Sequence, residues 1–556
     1  MLSHGVKDVV CSPGSRNTPL ILAIAAREEL HHHIVVDERP AAFMALGMAV
    51  VSRRPVALVC TSGTALLDYA PAIAEAFYQG VPLIVVSADR PDQWIDQDDS
   101  QTIRQYGALS NFVKKSYDLP AISTPDEEMR WYANRVVNDA RIEALSSRRG
   151  PVHINVRLAP PLGSMEDTPR VHQRTIRMLQ GDTSLNRESM NALARIVAEK
   201  RVMIVAGFMP PSSRLNRALN VFAEMDGIVV LAETLSNLHL PARCFCVDTL
   251  LARNPETYLS ENAPELVISF GGALVSRKVK EFLRGCRNLE HWTVGYHHTT
   301  VDCFKSLSMR IEADPEEFFV QLAGRVRKVS KEKGKKETLL SDYKDFWDSA
   351  AVKALSQTAE FEKKVDWSDF KAYSIIMRNL PVSANLFLSN GTSVRYAQLF
   401  SSRLPHASYC NRGVSGIDGC SSTAIGCAKV YKGGLTVLLT GDMSFSYDIG
   451  ALQLRDVPDT MRIIVVSNGG GGIFRFIPST AGLPQREQFF CADPSININA
   501  IADAFGWGYY KADDSHSLEK ILPDFLSENG GKRILEIVTP PELSAEILTD
   551  FLSFNH

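Results

Sequence analysis

The amino-acid sequence predicts an α/β protein of three domains, each a doubly wound parallel sheet with helices on both faces. Three observations lead to this reading. The chain has 556 residues, more than one hydrophobic core can organise. Short apolar runs rich in valine and isoleucine recur along its length and alternate with helical stretches. Because these runs are continuous rather than alternating, they belong to strands covered on both faces. Finally, the first and last thirds carry the same succession of elements.

The expected strands follow in order. The first third has VKDVVC (6–11), HIVV (33–36), VALVC (56–60), LIVVSA (83–88) and VHINV (152–156). The middle has VMIVAG (202–207), GIVVLAE (227–233) and LVISFGG (266–272). The last third has LFLS (386–389), LTVLLT (435–440), RIIVVS (462–467) and ILEIV (534–538). A proline-rich polar stretch, 159–173, and a basic run, 327–337, separate the blocks as linkers, the second equally readable as a solvated helix face. The expected domains are 1–165, 180–335 and 360–556. Residues 45–90 can be laid over 424–469: small-residue helix, basic turn, strand, a T-[SG]-[GD] turn, helix, strand and polar turn. This reads as one duplicated βαβ design, whose equivalent strand ends are expected to face a shared cleft.

Composition excludes several classes of function. The net charge is −3, from 60 basic and 63 acidic residues, with no polybasic stripe, which argues against a nucleic-acid partner. No apolar run reaches the roughly 18 residues of a transmembrane helix, so no membrane insertion is expected. MLSHGVKDVVCSPGS lacks a charged-then-apolar leader, and a cytoplasmic location is expected. The 10 cysteines include a C-x-C at Cys244 and Cys246 but no C-x-x-C and no zinc-like spacing. They read as reduced, buried thiols.

Chemistry concentrates where two strands of the last third end. LTVLLTGDMS ends at Asp442, and RIIVVSN ends at Asn468 before four glycines. A right-handed βαβ unit places both residues at the carboxyl edge of one sheet, where open α/β sheets bind ligands. A carboxylate, an amide oxygen and a backbone carbonyl turned inward by the glycines suit magnesium or another hard cation completed by phosphate and water. Backbone N–H groups at Gly441 and at the start of the next helix, Met443 and Ser444, are placed for the phosphates. A dinucleotide loop fits poorly, because Pro478 follows the glycines closely and stops an immediate helix.

This GD, the later asparagine and the glycines resemble the diphosphate-binding motif of thiamine-diphosphate (ThDP) enzymes. CSPGSRNTPL (11–20), DERPAAFMALG (37–47), TSGTA (61–65), SADRP (87–91), SQTIRQYG (100–107), NRGVSGIDG (411–419) and GDMSFSYDIGAL (441–452) narrow the resemblance. Together they are similar to the menaquinone-pathway family of that superfamily, the SEPHCHC synthases, and differ from acetolactate synthase and pyruvate decarboxylase. The resemblance covers nearly the whole chain. It implies pyrimidine-binding, central and diphosphate-binding domains, and a homodimer or homotetramer with active sites at the subunit interface. It also implies ThDP with Mg2+ or Mn2+, and decarboxylation of 2-oxoglutarate followed by addition to isochorismate.

The resemblance assigns roles residue by residue. Glu38 matches the glutamate that hydrogen-bonds the pyrimidine of ThDP, and Ile417 the apolar wedge that bends it. Asp442, Asn468 and the Gly470 carbonyl match the metal ligands. Ile473, Phe474 and Ile477 are expected to wall the reactive ring. Both substrates are dicarboxylates, so guanidinium groups are the expected recognition device. Arg16, Arg104, Arg395 and Arg412 lie in or beside matched motifs, and Arg277 and Lys278 match a basic pair for isochorismate. Ser15 and Gln101 match polar residues close to cofactor and substrate.

The chain departs from the family pattern at three points. It begins almost at the first strand, where the family usually has a helix. Gly391 replaces a serine, with Thr392 or Ser393 as substitute hydroxyls. The family's Lys-Arg pair is reversed as Arg277-Lys278. The alternative reading is another ThDP-dependent decarboxylase or carboligase.

Overall fold

A computed structural model describes residues 2, 5–122, 126–146, 148–163, 174–179, 184–333, 338–401 and 405–553. It contains two compact units, one made of residues 1–180, 411–436 and 444–461, the other of 181–410, 437–443 and 462–556.

The first unit is built on strands β1 (Asp8–Cys11), β2 (His31–Ile34), β3 (Val56–Cys60), β4 (Leu83–Asp89), β5 (Ser116–Leu119) and β6 (Val152–Arg157), in the order β2-β1-β3-β4-β6-β5. All its pairings are parallel. The central strands β3 and β4 are buried at every position. One helical layer packs Val136, Ala140 and Ala144 against Ile84, Val86 and Ile154. The central strands are thus covered on both faces, as continuous strand runs require, although Ser87, Asp89, His153 and Asn155 place a buried polar set among them.

The second unit holds two sheets. The first contains β7 (Val202–Ala206), β8 (Ile228–Ala232), β9 (Leu266–Phe270), β10 (Glu290–Val294) and β11 (Leu307–Ile311), in the order β11-β10-β9-β7-β8. Separate apolar clusters cover its two faces, one around Phe222, Phe270 and Phe319, the other around Tyr343 and Trp347. The second contains β12 (Asn385–Leu388), β13 (Ala407–Cys410), β14 (Thr436–Gly441), β15 (Met461–Ser467), β16 (Gly508–Ala512) and β17 (Arg533–Val538), in the order β13-β12-β14-β15-β17-β16. Counted from its own first strand, this sheet repeats the order of the β1–β6 sheet strand for strand. The duplication read from residues 45–90 and 424–469 is therefore a duplication of topology.

Every strand named from the sequence is present, but HIVV is displaced: β2 is HHHI, and Val35 and Val36 lie beyond it. Strands β5, β10, β11, β13 and β16 were not expected. Four of these are edge strands: β5, β11 and β16 carry polar residues at partly solvated positions, which erase the continuous apolar signal, while β13, ASYC, is mostly buried but too short and polar to give one. The basic run begins as a solvated face of the helix Pro315–Lys333, with Arg327, Lys328 and Lys331 exposed, which is the second of its two readings. Residues 334–337 of that run, and 164–173 of the other expected linker, lie outside the described residues. All ten cysteines are free, and most are buried.

Candidate active site

At the carboxyl edge of the β12–β17 sheet, Gly441 closes β14 and Asp442 opens the short helix Asp442–Tyr447. One carboxylate oxygen of Asp442 accepts the N–H groups of Asn468 (3.1 Å) and Gly470 (2.9 Å). The other accepts the Met443 N–H at 2.7 Å. Burial pushes the Asp442 carboxyl upward, and these backbone donors pull it back. Gly469, Gly470 and Gly471 have φ of +76°, +73° and +40°, backbone that other L-residues rarely adopt. Space imposes the same choice: a Cβ on Gly470 would lie 2.5 Å from the Cys491 carbonyl oxygen, and one on Gly472 2.7 Å from Asn468 Nδ2.

Asn468 is oriented by a residue that sequence reasoning missed. Its Nδ2 donates to Asp369 Oδ2 at 2.8 Å, while Asp369 Oδ1 accepts from Thr539 Oγ1 at 2.5 Å. An acceptor at Nδ2 fixes the amide so that Oδ1 faces away from Asp369. The site therefore offers a carboxylate, an amide oxygen and loop carbonyls, an all-oxygen set that fits Mg2+ or Mn2+. Among the described residues no group of three or more His, Cys, Asp or Glu is arranged to hold a metal ion, so a cation here would need phosphate and water oxygens to fill its shell. The Gly470 carbonyl accepts a hydrogen bond from Arg475 Nη1 at 3.0 Å, a partner the sequence reading did not assign.

Pro478 does stop an α-helix, but a single 3₁₀ turn, Gly472–Arg475, forms before it and carries Ile473 and Phe474. Both are half-buried, as is Ile477, and the Phe474 ring stands 5.7 Å from that of Phe490.

In the first unit, the helices Glu38–Ser52 and Cys420–Val430 pack together. The offset that lays residues 45–90 over 424–469 also lays Glu38 over Ile417 and Gly47 over Gly426. The packing is reciprocal: a Cβ on Gly47 would lie 1.9 Å from the Thr423 carbonyl oxygen, and one on Gly426 2.0 Å from that of Met44. Glu38 and Ile417 thus stand at matching ends of a pseudo-symmetric helix pair. Glu38 is half-buried, and burial raises its carboxyl, reinforced by Asp68 and Asp37 and opposed by a backbone hydrogen bond. A glutamate so placed holds a proton more readily than one in water. Ser444 Oγ donates to the Ile417 carbonyl at 2.7 Å.

The loop carrying Arg412 and Ile417 is held by Glu75, another residue missed from the sequence. Its buried carboxylate accepts the N–H groups of Gly413 (2.5 Å) and Val414 (2.7 Å). The remaining candidates of this unit diverge. Arg16 is buried and donates to the Leu158 carbonyl at 3.0 Å, whereas Arg104 is exposed and pairs with Asp96 at 2.7 Å. Ser15 and Gln101 are exposed, Gln101 in a turn at φ +54°. That turn packs on Gly63, whose N–H is taken by Gln105 Oε1 at 2.7 Å.

In the second unit, the reversed basic pair opens the helix Arg277–Gly285, capped by Ser276. Arg277 is exposed and pairs with Glu281 at 2.7 Å, an ordinary surface contact. Lys278 is half-buried, and its charge acts on Asp248 together with that of Arg395. Burial raises the Asp248 carboxyl against those two cations and against Ser276 Oγ, which donates to it at 2.6 Å. The structure thus brings Lys278 and Arg395 around one acid. Glu233 accepts the N–H groups of Val275 and Ser276, both at 2.7 Å, and the Thr234 N–H donates to Gln398 Oε1 at 2.8 Å. Gln398 lies on Ser393–Leu399, the helix of Arg395. Gly391 has φ +95°, and the Ser393 hydroxyl is engaged by Tyr373 OH at 2.8 Å.

Two family descriptions match the chain. Residues 1–108 match the N-terminal TPP-binding domain of thiamine pyrophosphate enzymes, and residues 172–388 match the middle domain of thiamine pyrophosphate enzymes. Curated relatives cover nearly all of it. A 2-succinyl-5-enolpyruvyl-6-hydroxy-3-cyclohexene-1-carboxylate synthase of Porphyromonas gingivalis is 40% identical over 99% of this chain and 95% of the relative. Proteins of the same name from Flavobacterium johnsoniae and Bacteroides thetaiotaomicron are 35% and 33% identical, over 97% and 99% of this chain and 94% and 96% of their own lengths.

Proposed function

Since the chain belongs to the family of 2-succinyl-5-enolpyruvyl-6-hydroxy-3-cyclohexene-1-carboxylate (SEPHCHC) synthases, we propose that it decarboxylates 2-oxoglutarate and joins the remaining four-carbon unit to isochorismate in menaquinone biosynthesis. It is a thiamine-diphosphate enzyme that forms a carbon–carbon bond. The observation that carries the site assignment is the pairing of Asp442 with the Asn468–Gly470 amides at adjoining strand ends, with Asn468 turned by Asp369.

Bound ThDP supplies the electron sink for loss of CO2 from a 2-oxoacid. The chain's residues do the rest. Asp442, the Asn468 side-chain oxygen and the Gly470 carbonyl would hold the divalent cation, and the N–H groups at Gly441 and Ser444, joined by that of Met443 on leaving Asp442, would receive the diphosphate. Glu38, whose carboxyl burial shifts upward, would face the pyrimidine nitrogen as its hydrogen-bonding partner. Ile417 orients the two rings; Ile473, Phe474 and Ile477 keep water out. Arg395 and Arg412 would hold the succinyl carboxylate of the 2-oxoacid, the one that is not lost, Lys278 with Arg277 the carboxylates of isochorismate, and Arg16, Arg104, Ser15 and Gln101 would complete the polar wall. No helix among the described residues is long and apolar enough to cross a membrane; a cytoplasmic homodimer or homotetramer, with active sites at the subunit interface, is the assembly we assign.

The test is a reaction with ThDP, Mg2+, 2-oxoglutarate and isochorismate, followed by the absorbance of isochorismate. ThDP-dependent loss of absorbance is expected, and Glu38→Gln should nearly abolish it in a folded protein. No ThDP-dependent loss would overturn the assignment. Release of succinic semialdehyde alone, with isochorismate present, would make the chain a simple decarboxylase.

A further inference from the structure

A loop with three successive positive-φ glycines should be mobile, because glycine surrenders the most conformational freedom on ordering. Something must hold Asn468–Gly472 in shape. The amide side of the loop turns onto Asp442, through the N–H groups of Asn468 and Gly470. The carbonyl side turns onto one guanidinium. Arg475 Nη1 donates to the carbonyl oxygens of Asn468 and Gly470, both at 3.0 Å, and Nη2 donates to that of Gly469 at 3.2 Å. The peptide dipoles of the loop thus lie between a fixed negative and a fixed positive charge, aligned favourably with both.

The guanidinium is itself fixed. Its side chain is 3% exposed, and Nη2 and Nε donate to the two carboxylate oxygens of Glu487 at 2.7 Å and 3.3 Å. Glu487 begins a π-helical turn, Glu487–Cys491, whose backbone lies directly over Gly470 and Gly471. All five N–H donors of the fork are therefore directed at the loop or at its anchor, a geometry that a lysine cannot reproduce in full. Three carbonyl oxygens converging on one point would repel each other without a cation between them.

We propose that Arg475 is a positioning residue that pre-forms the cation- and diphosphate-binding loop before any ligand arrives. The inference rests on the assignment of a divalent cation to Asp442, Asn468 and Gly470. Each carbonyl oxygen has two lone pairs, so the bond from Arg475 leaves one on Gly470 for the cation. Two effects of the guanidinium compete: its charge opposes a nearby cation, and its hydrogen bonds remove the ordering cost of the loop. We assign the larger effect to ordering, because the fixed charge is balanced by Glu487 while, among the described contacts, the Gly469 and Gly470 carbonyls accept from Arg475 alone and only the Gly471 carbonyl has a separate donor, the Phe474 N–H at 2.8 Å.

The experiment titrates Mn2+ into the full chain with saturating ThDP, reading free Mn2+ by electron paramagnetic resonance. Amide exchange over 468–473 is measured separately in the protein without metal or ThDP. In the unsubstituted chain the Asn468 and Gly470 amides should be protected. Arg475→Ala should lose that protection and bind Mn2+ about ten- to a hundred-fold more weakly, the range typical of lost outer-shell support. Arg475→Lys should recover part of both, and Glu487→Gln should lose less than Arg475→Ala. Asp442→Asn is the control: if it binds Mn2+ normally, the cation site itself is misassigned. If Asp442→Asn loses Mn2+ while Arg475→Ala and Arg475→Lys bind within two-fold of the unsubstituted chain, or more tightly, the positioning role is overturned. Should Arg475→Ala fail to fold, Arg475→Lys and Glu487→Gln decide alone.

Discussion

Gly426→Ala and Gly47→Ala test the reciprocal helix pair that aligns Glu38 with Ile417. The added Cβ would lie 2.0 Å from the Met44 carbonyl oxygen in one case and 1.9 Å from that of Thr423 in the other. Ordinary contact begins near 3.4 Å, so the two backbones must part by more than an ångström. Neither obstacle is a side chain that can swing aside; both are main-chain atoms inside helices. Alanine gains about 1 kcal/mol of helix propensity over glycine. Overpacking costs up to about 3 kcal/mol, and rigid backbone argues for the upper end. The expected balance is a loss of about 2 kcal/mol, a fall of about 4–8 °C in the melting midpoint of a unit this size. Gly324→Ala calibrates the argument, since Gly324 sits in the helix Pro315–Lys333 with nothing within 4 Å of its would-be Cβ. It should be neutral or stabilising by about 1 kcal/mol. The double variant Gly47→Ala/Gly426→Ala should cost less than the sum, because one opening serves both methyl groups. Calorimetric melts of the four proteins are the assay. If Gly426→Ala raised the midpoint as Gly324→Ala does, the reasoning would be refuted.

Other consequences are open to measurement. Asp369→Asn presents an amide to the Asn468 amide and should weaken Mn2+ binding about ten-fold or more by releasing the ligand's orientation; a dissociation constant within two-fold would rule that role out. Glu75→Gln replaces one of two acceptor oxygens with a donor facing an N–H, at about 2 kcal/mol, and should loosen the loop of Arg412 and Ile417. ThDP affinity, read by fluorescence quenching, should fall, and an unchanged value would show that the loop is held elsewhere. Burial depresses His153 to about 4 from 6.5, and its Nε2 meets Ser87 Oγ at 2.8 Å. A depressed pKa means stability that is intact above 6.5 and lost as pH falls toward 4, so His153→Gln should flatten the pH dependence of urea midpoints in that window. An equally steep profile would count against it.

Much of this architecture can be read in the chain because parallel strands covered on both faces carry continuous apolar runs. Strands β3, β4, β14 and β15 carry the unbroken apolar runs VALVC, LIVV, VLL and IIVV, and they sit in the middle of their sheets. The same logic explains what escaped: SYDL and GYYKA lie at sheet edges, where half their positions meet water. The site divides along a similar line. Asp442 and the Asn468 glycines are contiguous with their strands, so spacing reveals them. Asp369 lies 99 positions from Asn468, and Glu75 lies 338 from Gly413; nothing local marks either as a partner. Arg475 was in plain view beside the glycines, but an arginine after Ile-Phe reads as a surface cation, and only its burial contradicts that.

The two equivalent sheets also differ at the strand edge to which we assign the diphosphate in one of them. By the common offset, Gly63 corresponds to Asp442 and Asp89 to Asn468. In the β1–β6 sheet, the Gly63 N–H is taken by Gln105 Oε1 at 2.7 Å, and Gln105 Nε2 donates to Asn155 Oδ1 at 3.0 Å. Asp89 is 1% exposed, accepts from Asn155 Nδ2 at 2.8 Å, and has the Arg157 guanidinium 3.5 Å away. That strand edge is closed by the protein's own amide and guanidinium groups, and a charged ligand would have to displace them. In the β12–β17 sheet the corresponding edge holds a carboxylate facing a glycine loop, with its one guanidinium on the carbonyl side. The polar demand of such an edge is left for a ligand to meet. At the common offset the β12–β17 edge has the Asp442 carboxylate where its counterpart has Gly63, and Gly469 and Gly470 where its counterpart has Arg90 and Pro91, so a ligand-binding side chain and a glycine backbone together distinguish the proposed cation and diphosphate edge from the closed one.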